Sequence, residues 1–133
     1  MLLGPRIAKT NLPPKKSKRR TNRWNFKHLA FVRELECPIY PGERPIEAHH
    51  LLRADPRRGI GRKAADRYTI PLSRNAHSDL HACGDEEGWL AARGIDGRAL
   101  AAALWRASGD VPQGFRIVER AVDYSRLREK FPK

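Results

Sequence analysis

The first acidic residue of this chain is Glu34. Ten Lys and Arg residues precede it, and 17 basic and 15 acidic residues make up the charge of the remaining 100 positions. That split limits what can fold. Residues 1–23 carry Pro5, Pro13, Pro14 and the run "KKSKRR" and have little to bury, so they are expected to form a disordered basic arm. Residues 24–109 remain for one folded domain, and residues 110–133 form a C-terminal extension whose structure the sequence leaves open. A length of 133 residues and an apolar share of 40% fit one domain with a small core.

A net charge of +12, concentrated in an arm on a near-neutral body, points to a polyanionic partner, with nucleic acid the usual one. Lys15, Lys16, Lys18, Arg19, Arg20 and Arg23 are the arm's candidate phosphate contacts. No apolar run approaches a membrane span. The start "MLLGPRIAKT" lacks a secretory apolar region, so an intracellular, cytoplasmic protein is expected. Cys37 and Cys83 are the two cysteines. They form no C-x-x-C pair and are too few for a cysteine-rich zinc site, and a disulfide is not expected.

A coarse reading places a short helix over "NFKHLAFVREL". Two arms of a loose hairpin follow, over residues 37–40 and 45–52, around the turn at Pro41 and Gly42. Residues 53–67, "RADPRRGIGRKAADR", lack periodicity and read as a basic loop. "YTIPLS" reads as a second strand. "RNAHSDLHACG" reads as a helix ending at Gly84, with Asn75 as a cap near its start. "DEEGWLAARG" reads as a short helix with acids at its start. "DGRALAAALWRASG" is the strongest helical pattern, with Asp96 as N-cap. The alternation in "FRIVERAVDY" suggests a strand. Trp89, Leu104 and Trp105 read as core rather than as base-stacking platforms. His28 falls outside any pattern and receives no role.

The chemistry lies in four histidines. His77 and His81 are spaced i, i+4, which stacks two imidazoles on one helix face. This is a common route to a helical metal site. His49 and His50 are neighbours in a strand, so they point to opposite faces. With His49 toward the helix, three protein nitrogens converge and leave open positions, as in a catalytic rather than a structural site. His50 then stands beside the metal without binding it, and an imidazole takes a proton from water readily near neutral pH.

The "HH…H-x-x-x-H" pattern on a strand–loop–strand–helix frame resembles the HNH, or ββα-metal, endonuclease superfamily. In ligand set it is similar to the double-histidine DNase colicins. The wider text, "CPIY…EAHHLL…GIGRKAADRYTIPLSRNAHSDLHACGDEEGWLAARGID", resembles the phage and prophage recombination-enhancement (Ref-like) branch, over about residues 28–106. The resemblance implies an α+β fold: a small ββα-metal, treble-clef-like core with flanking helices. It implies His49, His77 and His81 as ligands of one divalent ion (zinc, manganese, nickel or magnesium) and His50 as general base. It implies a metal-dependent DNA endonuclease of low sequence specificity, or one directed by a partner such as a RecA-type recombinase filament. The implied cleavage is in-line attack by water that leaves a 5′-phosphate. Relatives often carry a cysteine pair near the first strand and "PLC" before the helix. Here those positions read Cys37, Tyr40 and Ser73, so core packing must hold the frame. The middle asparagine of the family name falls near Tyr68, and its bracing role would pass to Asp66 or Thr69.

Glu47, two residues before His49, is a candidate acceptor for a ligand imidazole N–H, and Asp66 is another. Asp79, between the helical histidines, is expected to face solvent. In the loop, Arg53, Arg57, Arg58, Arg62, Lys63 and Arg67 stand against two acids and could flank a scissile phosphate. Two other readings stay open: a catalytically inactive nucleic-acid-binding zinc module, and an RNA-cleaving enzyme of the same type.

Overall fold

The computed structural model describes residues 23–56 and 63–122. These residues form an α+β domain of five α-helices, one 3₁₀ turn and a two-stranded antiparallel sheet. The order is α1 (Phe26–Arg33), β1 (Ile46–His50), the 3₁₀ turn (Asp66–Tyr68), β2 (Thr69–Ser73), α2 (Arg74–Cys83), α3 (Glu86–Ala92), α4 (Gly97–Arg106) and α5 (Val111–Glu119). No helix among the described residues is long and apolar enough to cross a membrane.

Two strands alone are marginal in water. This pair is held because α1 packs on both strands and α2 and α4 pack on β2. All five residues of β2 are buried, so the strand lies inside the domain. The core joins Val32 and Leu35 near α1, Ile70 and Leu72 of β2, and Leu104 of α4. Cys37 is buried in it and Cys83 is exposed, and both are free thiols.

Each helix start carries an acceptor side chain for an orphan N–H. Asn25, Ser73, Asp85, Asp96 and Asp110 cap the five helices in order. The cap of α2 is Ser73, whose hydroxyl accepts from Ala76 N, and not Asn75. Asn75 lies one residue inside the helix and reaches Glu43 instead. At the far end Gly84 takes φ of 79°, a left-handed conformation that suits glycine.

Two other sequence expectations are overturned. Residues 37–40 are not a strand, and no hairpin forms around Pro41. Pro38 and Pro41 supply no N–H. Tyr40 N donates to Cys37 Sγ, and Glu43 N closes a turn on Tyr40 O. β1 therefore pairs with β2. Nor is there a strand over the described part of "FRIVERAVDY", residues 115–122, because residues through Glu119 belong to α5; positions 123 and 124 lie outside the described residues. Asp110 caps that helix and Pro112 sits in its first turn, while Gly114 and Val118, four apart, face inward. A Cβ at Gly114 would stand 2.8 Å from Leu35 Cδ2 and 2.9 Å from Phe31 Cζ, so glycine lets α5 lie close on α1. Val122 then forms a single bridge to Ile95.

Candidate metal centre

β1 delivers the double histidine. His49 stands opposite Ile70 and His50 opposite Thr69 across the sheet. His49 is 2% exposed and faces α2, whereas His50 is turned to the 3₁₀ turn. α2 presents His77 and His81 on one face, with ring centroids 4.6 Å apart. The His49 ring lies 4.8 Å from that of His77 and 5.6 Å from that of His81. One ligand atom from each of the three falls within 4.8 Å of the others, the one such group among the described residues.

Carboxylates orient two of these rings. Glu47 Oε1 lies 2.7 Å from His77 Nδ1, and Glu86 Oε1 lies 2.7 Å from His49 Nε2. With His77 Nδ1–H donating to Glu47, His77 Nε2 keeps a lone pair and faces His81 Nε2 at 3.0 Å. Two nitrogens bound at about 2.0–2.1 Å to one tetrahedral ion stand about 3.3 Å apart, close to this spacing. Burial pushes the His49 imidazole below its ordinary pKa, against the opposing pull of Glu86. Burial thus favours the neutral imidazole, the form that ligates a metal. The His77 hydrogen bond is the largest cause that lowers the Glu47 carboxyl below its usual range.

Glu47 is legible in the sequence because it shares a strand face with His49, and in the fold it reaches His77. Glu86 is a residue that sequence reasoning misses. Its signal, an acid opening "DEEGW", reads equally well as a helix-dipole partner. The Glu86 carboxylate also accepts from Leu52 N at 3.1 Å, which ties α3 to the end of β1.

His50 has a different neighbour. Its Nε2 lies 2.8 Å from Asp66 Oδ1. The His50 side chain is 15% exposed and the Asp66 side chain 4%, so the imidazole is reachable while its carboxylate is enclosed. Asp66 Oδ2 accepts from Asn25 N at 2.6 Å, and Asp66 N donates to Arg23 O at 2.7 Å. Thr69 Oγ1 donates to Asp66 O, so both residues named as candidates for bracing the loop end it together. Arg23 also pairs with Asp55 at 2.9 Å. The last residue of the basic arm is therefore built into the wall behind His50.

The remaining site candidates are spread more widely. Arg53, Lys63 and Arg67 are exposed. Lys15, Lys16, Lys18, Arg19, Arg20, Arg57, Arg58 and Arg62 lie outside the described residues. Asp79 is exposed and accepts from the Tyr40 hydroxyl, which raises the Tyr40 pKa. Trp89 and Leu104 are buried, but Trp105 is only partly so, which corrects its reading as core. His28 is fully buried beside Trp105, with Nδ1 2.7 Å from Ser108 Oγ.

Residues 12–108, which take in every residue of this centre, match the family described as "Protein of unknown function (DUF968)". The chain belongs to the DUF968 family. No curated protein and no solved structure matches it. The matched span runs from within the arm to the end of α4, so the DUF968 region covers sheet, loop and histidine cluster together.

Proposed function

We propose that this chain is a metal-dependent endonuclease of the HNH type that hydrolyses phosphodiester bonds in DNA. One observation carries the reading: three imidazoles converge while the adjacent His50 is turned away and held by a buried carboxylate. A binding module needs the first feature and has no use for the second. The strand–loop–strand–helix order that brings these residues together supports a ββα-metal core.

His49, His77 and His81 would hold one divalent ion. Three imidazoles suit zinc, nickel, cobalt or manganese better than magnesium, which prefers oxygen. An ion held there would supply Lewis-acid stabilisation of the charge that develops as a phosphodiester is cleaved. Glu47 and Glu86 fix the planes of two ligand rings. Asp66 engages His50 Nε2, which leaves Nδ1 to accept a proton from water. The carboxylate then stabilises the imidazolium that results, as the aspartate of a hydrolase triad does. Exposed Arg53, Lys63 and Arg67 supply charge for flanking phosphates.

Plasmid nicking tests this directly. Wild type should nick in Mn²⁺, Ni²⁺, Zn²⁺ or Mg²⁺ and not in chelator. His50→Ala should be slower by about 10²–10⁴-fold. Absence of nicking with every ion, or equal rates for the two proteins, overturns the proposal. A labelled RNA in the same assay separates the two nucleic acids.

A further inference from the structure

Arg67, an exposed residue, carries its guanidinium carbon over two aromatic rings, 5.3 Å from the centre of Trp105 and 5.6 Å from that of Tyr68. With Arg98 and Arg106, these residues line a cavity of about 310 Å³. Neither Arg67 nor Arg106 has an acidic partner among the described residues. Arg98 is partly neutralised by Glu87 at 2.9 Å. The edge contact with His28, at 4.9 Å and 82°, steadies the Trp105 ring.

The cavity combines flat π faces with two cations, Arg67 and Arg106, that have no acidic partner among the described residues. A nucleotide has the matching parts, a flat base and a phosphate. In a duplex both faces of each base are covered by neighbours, so only an unstacked base can enter. Base–aromatic stacking and arginine contacts of this kind are how single strands are gripped without sequence readout. A neighbouring cavity of about 340 Å³ is lined by Glu86, Glu87 and Asp96 as well as Arg98, and its acids would repel a phosphate.

The slot adjoins the proposed chemistry. Asp66, Arg67 and Tyr68 are one 3₁₀ turn, and Asp66 holds His50. Tyr68 O accepts from Leu51 N at 2.8 Å, directly after the double histidine.

We propose that this slot takes one unstacked nucleotide of a single strand, with its base against Trp105 and Arg67 and its phosphate on Arg106. The substrate is then DNA with single-stranded character near the cut rather than a regular duplex. This rests on the nucleic-acid reading above, so its test does not use cleavage. Anisotropy of a labelled oligonucleotide, single-stranded or as a blunt duplex, is measured in chelator with the full chain. Trp105→Leu should weaken single-strand binding by roughly 5- to 150-fold and leave duplex binding unchanged. Trp105→Phe should retain most of the affinity. Arg106→Gln, an exposed change that does not threaten the fold, should weaken single-strand binding and lower its salt slope by about 0.7. Wild-type single-strand binding in Trp105→Leu overturns the slot. If Trp105→Leu loses both ligands, Arg106→Gln decides, and an unchanged affinity and slope there overturns it. Metal-dependent nicking by wild type with no binding defect in either variant removes the slot and keeps the endonuclease. Selective single-strand loss without any nicking does the reverse.

Discussion

His49 and His50 differ by one position and by the carboxylate each meets. Glu86 holds the first and Asp66 the second. These contacts predict different defects. Asp66→Asn should lower the nicking rate about 10–100-fold by releasing His50, and should leave metal affinity as it was. Glu86→Gln should weaken metal binding by about 10–100-fold, because His49 loses its anionic partner. Calorimetric titration of both variants with Zn²⁺, beside their nicking rates, checks the pair. Equal metal loss in Asp66→Asn would mean that His50 is a ligand and its assigned role is exchanged with that of His49.

At the scale of elements, α2 is a ten-residue helix that must hold two imidazoles in register. An isolated helix of that length is marginal, so its ends matter. Ser73 caps the start and also donates to Glu43 at 3.1 Å. Ser73→Ala should cost about 1 kcal/mol, read as a lower urea midpoint. It should also weaken metal binding, because the first turn carries His77. Added metal should restore part of the stability by mass action. No change in midpoint would show that burial of Ala76 and Leu80 holds the helix start without the cap.

At the scale of the molecule, the arm meets the body at Arg23, whose carbonyl accepts from Asp66 and whose guanidinium pairs with Asp55. The boundary for a clean truncation therefore falls after residue 22. Deleting residues 1–22 removes seven basic residues. It should flatten the salt dependence of DNA binding, by about 0.9 in slope for each duplex phosphate that the arm no longer neutralises. The metal site should survive. Deleting residue 23 as well should also impair nicking through Asp66. Binding isotherms over a salt series for both truncations check this.

The molecule should also lose stability in acid. Burial lowers the His28 pKa, opposed by Asp66. The unfolded chain then binds more protons than the fold below about pH 6.5, so stability is full above that value and falls as pH drops through the folded one. Urea midpoints at pH 7.5 and 5.5 should differ more for wild type than for His28→Phe. A residual slope should remain in the variant, because burial also lowers His49.

Local pattern determined much of this protein. The i, i+4 spacing of His77 and His81 needed only helical geometry, and opposite aims for His49 and His50 needed only a strand. Gly84 and Asp96 marked helix ends because their backbone and capping chemistry is local. Asn75 stands two positions beyond the true cap, Ser73, since Ser and Asn are both good caps and φ/ψ decides between them. Tertiary structure decided the rest. Period-2 and period-3.6 readings overlap in "FRIVERAVDY", and the inward face of α5 against α1 selected the helix. β1 chose β2 because β2 lies inside the domain, whereas Pro38 and Pro41 break the nearer candidate. Glu86 met His49 across 37 positions, and Asn25 and Arg23 met Asp66 across about 40. No spacing rule spans such distances, because a carboxylate becomes the partner of an imidazole only when packing encloses both and leaves each no better one.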